Sequence, residues 1–220
     1  MVEQTGWFFG DSFLYGYQCH PGNPYYEKSK YKDKRIVSQI VCDTLNIKHK
    51  NLAQYGYSNE NILHSVLTNV SNIKENDYVF IIDTHSTRTP IVYDHKNVPI
   101  CMTENYYTGW PDGSYIEVKR SEAFEQMDYA RQSVTEKLND FYKDIFNGLI
   151  EELSLRNVNT LYIPTNRHYG IVYGESNELE AEQIWDDVSA DISDGHWSFK
   201  GHRKMASMIL GKIEGYKGLI

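Results

Sequence analysis

At 220 residues, with 24% charged and 40% hydrophobic side chains, the chain can bury one sizeable core and has the composition of an ordinary globular domain. A formal net charge of -8 offers nothing to nucleic acid or to an anionic membrane surface, and the one basic stretch, Lys28 to Arg35, is interrupted by Tyr31 and Asp33. Cys19, Cys42 and Cys101 form no Cys-x-x-Cys pair, which argues against a zinc site or a disulfide framework, and no apolar run approaches the ~18 residues that cross a bilayer.

Trp7-Phe8-Phe9 is a short aromatic run suited to a buried strand, and Gly10-Asp11-Ser12 breaks it. Gly-Asp-Ser is also simply a good turn. Residues 17 to 30, with Pro21, Gly22 and Pro24, read as a loop over the end of that strand. From about Asp33 to Leu45, Ile36, Val37, Ile40, Val41 and Leu45 recur at helical spacing, with Cys42 as a small core residue. Ile47 to Gln54 is a short polar strand candidate. A second helix, capped by Ser58 or Asn59, aligns Ile62, Leu63, Val66, Leu67 and Val70.

Asp77 to Asp83 holds Tyr-Val-Phe-Ile-Ile, the strongest strand signal and a good central parallel strand. Residues 89 to 120 read as a long excursion above the sheet, with room for a small hairpin; loops of that length are usually functional. A long helix from Ser121 or Ser133 to Leu155 places Val134, Leu138, Phe141, Ile145, Leu149 and Leu153 on one stripe. Thr160 to Pro164 is a strand. A polar loop through Gly170 and Gly174 and an acidic segment then lead to Asp194-Gly-His-Trp-Ser-Phe-Lys-Gly-His202 and a last helix with Met205, Ala206, Ile209 and Leu210. Alternating strands and helices predict an α/β fold, with a parallel sheet covered on both faces, in a single domain over 1–220.

Ester hydrolysis through a serine needs a base for the hydroxyl proton and a partner that fixes the base. Ser12 lies early in the chain and Asp194 and His196 late, each after a predicted strand, and strand ends converge on one rim of such a sheet. Gly56 could bring a backbone N–H close to a carbonyl oxygen. No Gly-x-Ser-x-Gly elbow is present, so an α/β-hydrolase arrangement is not expected. His196, His202 and Asp194 match no standard zinc spacing, so no metal is expected.

Gly10-Asp11-Ser12, Asn51-Leu-Ala-Gln-Tyr-Gly56 and Asp194-Gly-His196 with Gly201-His202 together resemble the SGNH/GDSL hydrolase family, in its order and over nearly the whole chain. The resemblance implies a three-layer α/β/α sandwich with a mostly parallel, five-stranded, flavodoxin-like sheet and no cofactor. It implies Ser12 as nucleophile, His196 as base and Asp194 as orienting acid, with the N–H groups of Ser12 and Gly56 in the oxyanion hole. Two blocks depart from the pattern. Residue 193 is Ser, so the carboxylate sits one place closer to the histidine than usual, with Asp191 a weaker substitute. Asp83-Thr84-His85-Ser86-Thr87-Arg88 replaces Gly-x-Asn-Asp, resembling a branch found in bacteria and phages; Ser58-Asn59 fits the same branch. His85 then stands nearest the expected asparagine donor, with Thr84 and Ser86 as substitutes.

Asp11, Asn59, Arg88, Tyr106, Tyr107, Trp110 and Trp197 are the candidate substrate contacts. Eighteen tyrosines and four tryptophans suit a carbohydrate surface, though a tyrosine-rich core explains them as well. The expected activity is that of a serine carboxylic ester hydrolase, with an acetylated carbohydrate as a candidate substrate. The competing expectation is a glycan-binding or virion component that keeps the fold with little turnover. No signal peptide is recognisable, so the expected location is the cytoplasm, or the virion for a phage product. Neither a nucleic acid nor a membrane is an expected partner.

Overall fold

The computed structural model describes residues 3–16, 19–23, 26–27, 29, 32–84, 89–93, 96–100, 107–109, 115–117, 134–163, 197 and 199–213. In chain order these are β1 (Thr5–Phe9), α1 (Ser12–Tyr15), α2 (Val37–Leu45), β2 (Lys48–Asn51), α3 (Asn59–Asn69) with a 3-10 turn at Val70–Asn72, and β3 (Tyr78–Ile82). There follow β4 (Thr89–Tyr93), β5 (Lys96–Ile100), β6 (Tyr107–Gly109), β7 (Tyr115–Glu117), α4 (Thr135–Leu155), β8 (Asn159–Ile163) and α5 (Phe199–Lys212).

The fold is α/β. Four described strands make one parallel sheet in the order β2-β1-β3-β8, with Phe8 paired to Asn51 on one side and Phe80 on the other. Strands β1 and β3 have neighbours on both sides and helices on both faces, and for that reason their sequences are nearly unbroken apolar runs. Alternate side chains go to opposite faces. Phe8, Phe80 and Ile82 join Val37, Val41, Met205, Ala206 and Ile209 under α2 and α5. Trp7, Phe9, Val79 and Ile81 join Ile62, Val66, Tyr142, Phe146 and Leu153 under α3 and α4. Among the described residues no helix is long and apolar enough to cross a membrane.

Several sequence expectations shift. Helix α2 begins at Val37, not near Asp33, because the Asp33 carboxylate pairs with Arg35 and Arg203 (2.7 and 3.0 Å) while Gln39 Oε1 takes the Ile36 N–H. Hydrogen bonds from Arg35, with Arg203 nearby, hold the Asp33 carboxyl at about 2. The polar strand narrows to Lys48–Asn51. On α4 the core stripe runs through Tyr142, Phe146 and Leu153, while Phe141 is 56% exposed and Val134 is also exposed. Apolar residues are adjacent at 141/142 and 145/146, so helical spacing alone allowed either stripe; the ring of Tyr162 on β8, tilted against that of Phe146 at 5.5 Å, marks the one that meets the sheet. Leu67 is exposed for a related reason, since Ile62 and Val66 already fill the contact of α3 with the sheet. Within 89–120, β4 with β5 and β6 with β7 form two antiparallel pairs, one more than the small hairpin expected. The start of the long helix before Val134, Pro164, the Gly170–Gly174 loop, the acidic segment and Cys101 lie outside the described residues.

Gly6 shows how tightly the sheet face is packed. A Cβ there would lie 2.6 Å from Cys42 Sγ and 3.1 Å from Ile47 Cδ1. Burial pushes the Cys42 thiol up to about 12, with Asp43 adding to the shift and the Gly6 backbone opposing it. Gly6→Ala is expected to cost about 1–3 kcal/mol by overpacking. In a Cys42→Ala background the same change should cost at least about 1 kcal/mol less, read as the coupling in a urea-denaturation double-mutant cycle. Strictly additive losses would refute the clash.

Candidate active site

The chain leaves β1 at Phe9 and turns at Gly10 into α1, four residues that make barely one turn. So short a helix has no stability of its own, and its shape must come from caps and neighbours. Asp11 is the N-cap, its Oδ1 accepting the Phe13 N–H at 3.0 Å. Gly16 ends the turn in the left-handed region at φ 78, and a Cβ there would also strike Ile36 Cγ2 at 2.6 Å. Ser12 opens the helix and is 1% exposed.

Two more segments reach the same rim. The Leu52 N–H donates to Phe8 O (2.8 Å) and the Gln54 N–H to Gly10 O (3.2 Å), so the chain after β2 continues alongside β1 and Gly10 as far as Gln54, two residues before Gly56. Gly56 adopts φ 74, a left-handed geometry that glycine takes readily. Tyr57 follows, its hydroxyl pKa raised by burial. Ser58 and Asn61 form a reciprocal cap that starts α3. From the end of β3 comes Thr84, whose Oγ1–H donates to Asp11 Oδ2 at 2.7 Å. The Asn59 amide grips the Thr84 backbone on both sides, Nδ2 donating to Thr84 O and Oδ1 accepting the Thr84 N–H, each at 2.8 Å. From β1 the chain goes first to β2 on one side and then to β3 on the other, so this rim lies where open α/β sheets form a crevice.

The last block of the chain arrives at the same end. The Trp197 ring meets the Phe13 ring edge-on at 5.3 Å and that of His202 at 5.6 Å, and the Cys19 thiol donates to Trp197 O at 3.6 Å. His202 is fully buried in α5, its Nδ1 accepting the Val37 N–H at 3.3 Å and so joining α5 to α2.

Of the residues singled out from sequence, Ser12, Asp11, Gly56, Asn59, Thr84 and Trp197 are described, and Asp11, Ser12, Asn59 and Thr84 share one buried rim. Asp11 and Asn59, expected to touch substrate, have framework partners, their polar atoms tying three strand-end loops together. Trp197, expected at the substrate surface, is 1% exposed and packs among core rings. Tyr107 begins β6. Asp194, His196, Asp191, His85, Ser86, Arg88, Tyr106 and Trp110 lie outside the described residues.

Two tyrosine–carboxylate pairs went unread in the sequence. Tyr162 OH donates to Asp83 Oδ2 and Tyr142 OH to Glu60 Oε1, both at 2.5 Å. Burial and the neighbouring Asp83 carboxylate raise the Tyr162 hydroxyl well above the usual phenol range. Tyr162 follows Leu161 in a strand whose alternation could have flagged an inward hydroxyl, but nothing in the sequence names its partner.

No family model and no curated protein matches the chain. A search of solved structures found similarity to "a putative lipolytic protein of G-D-S-L family from Desulfitobacterium hafniense DCB-2", at 14% identity and TM-score 0.35, over 94% of this chain and 98% of that one.

Proposed function

We propose that the chain is a serine ester hydrolase of the SGNH/GDSL type. The observation that carries this reading is the packing of Trp197 on Phe13. Trp197 follows His196 in the sequence and Phe13 follows Ser12, so that contact supports pairing the candidate base with the candidate nucleophile. In this reading the four described strands belong to a five-stranded, flavodoxin-like sheet within a three-layer α/β/α sandwich.

Ser12 Oγ attacks the ester carbonyl while His196 accepts its proton, with Asp194 orienting the imidazole. The N–H groups of Ser12 and Gly56 stabilise the oxyanion, and His85 or Ser86 supplies the donor that an asparagine usually gives; one such donor is worth about 3 kcal/mol of barrier. Collapse expels the alcohol, which takes the proton from His196 and leaves acyl-Ser12. Water, activated by the same imidazole, then releases the acid and restores the serine. Arg88, Tyr106, Tyr107 and Trp110 remain the candidate contacts for the alcohol portion by residue type, and an acetylated carbohydrate suits that aromatic set.

The test is covalent. A fluorophosphonate should add its phosphonyl group to the peptide containing Ser12, located by mass spectrometry, with loss of p-nitrophenyl acetate hydrolysis. The labelling rate should rise through roughly pH 6 to 7 as His196 loses its proton. No label on Ser12, or a rate flat from pH 5 to 8, would reject the arrangement.

A further inference from the structure

Thr84 appeared from sequence as a possible donor to the oxyanion, and its hydrogen bonds point to a different duty. A hydroxyl has one proton, and that of Thr84 is donated to Asp11 Oδ2 at 2.7 Å. Thr84 is also 1% exposed. Its backbone is clamped by the Asn59 amide, and the other oxygen of Asp11 holds the Phe13 N–H. This one chain of bonds therefore joins the loop carrying Ser12, the start of α3 just beyond Gly56, and the segment entering His85 and Ser86.

We propose that Thr84 is a positioning residue, setting the distance between the nucleophile and the oxyanion donors through Asp11 and Asn59. The proposal rests on the esterase reading above. Helix α1 is too short to hold Ser12 in place itself, and the bonds that fix its first turn come from Asp11. Without the Thr84 hydroxyl, Asp11 keeps its cap to Phe13 but loses the bond from Thr84 at the end of β3. The nucleophile and the donors can then drift apart. A misplacement of about 1 Å costs on the order of a hundredfold in rate.

The experiment measures kcat and KM for p-nitrophenyl acetate, well below each thermal midpoint, for wild type, Thr84→Val, Thr84→Ser, Asn59→Asp and Ser12→Ala. Thr84→Val should lower kcat about 10- to 100-fold with KM within about twofold, because only transition-state geometry is lost. Thr84→Ser, which keeps the hydroxyl, should recover most of that loss. Asn59→Asp sets a carboxylate oxygen against Thr84 O and should lower kcat in the same way, which keeps the test decisive if Thr84→Val does not fold. Full kcat in Thr84→Val or Asn59→Asp, or equal losses in Thr84→Ser and Thr84→Val, would overturn the positioning role while a Ser12-dependent wild type leaves the esterase standing. A wild type no faster than Ser12→Ala overturns both.

Discussion

Ser12→Ala is expected to reduce kcat/KM for p-nitrophenyl acetate at least about a thousandfold, equivalent to about 4 kcal/mol of barrier. On the proposed reading the residual rate would come from the oxyanion donors and binding alone, as when the nucleophile is removed from a known serine hydrolase. Stability should change by no more than about 1 kcal/mol, because the substitution removes one oxygen and alanine is a better helix former than serine. Asp11, which caps the turn, is untouched. The measurement pairs initial rates with thermal melting of the two proteins. Equal rates would leave the protein as a binding module on this fold. A collapsed melting point would mean that Ser12 holds the turn together rather than reacting.

Asp77→Ala should behave in the opposite way. Asp77 is 3% exposed and sits before β3, at the end of the sheet away from Ser12. Its Oδ1 accepts the Thr5 N–H at 2.8 Å, and its Oδ2 accepts Trp7 Nε1–H at 2.9 Å and the Lys74 N–H at 3.0 Å. One carboxylate thus fixes the entry of both β1 and β3. Alanine strands three donors, among them the buried indole N–H. Bonds to a charged acceptor are worth about 1.5–3 kcal/mol each but do not add fully, so a loss of about 3–4 kcal/mol is expected. That corresponds to a fall of roughly 10 °C in thermal midpoint for a domain of this size. Asp77→Asn retains one acceptor and should lose about half as much. Turnover per folded molecule should stay at the wild-type level in both. A loss below about 1 kcal/mol in Asp77→Ala, read by urea denaturation, would show that water or a rearranged loop replaces the carboxylate.

The contrast between these two positions shows what was readable in the sequence. Trp7–Phe9 and Tyr78–Ile82 were legible because strands buried on both faces need apolar side chains at every position. Lys48–Asn51 was only faintly legible, since its side chains are exposed or half-buried and any polar residue serves there. The start of α2 was misread because Asp33, a good cap by type, is engaged by arginines instead. Side-chain pairing was the least legible level. Asp77 with Trp7, and Asp11 with Thr84, join residues some seventy positions apart, and nothing in local pattern distinguishes a carboxylate that organises strand ends from one in solvent. Gly10-Asp11-Ser12 could be singled out as a turn of interest, but the reason its aspartate sits there became visible only with Thr84 in place.

The meeting of Trp197 with Phe13, and of His202 with Val37, has a consequence for how the molecule is made. As the chain emerges from a ribosome, α2 can settle on its face of the sheet early. The places beside it for Met205, Ala206 and Ile209 stay empty until nearly the whole sequence has been translated. Until then Phe8, Phe80 and Ile82 are only partly covered, and the nascent chain carries a sticky apolar surface of the kind that chaperones hold. Asp11, Asn59 and Thr84 are translated well before Trp197 and the residues of α5, so a chain stopped before residue 197 would hold the Ser12 rim without its last cover and would be prone to aggregate.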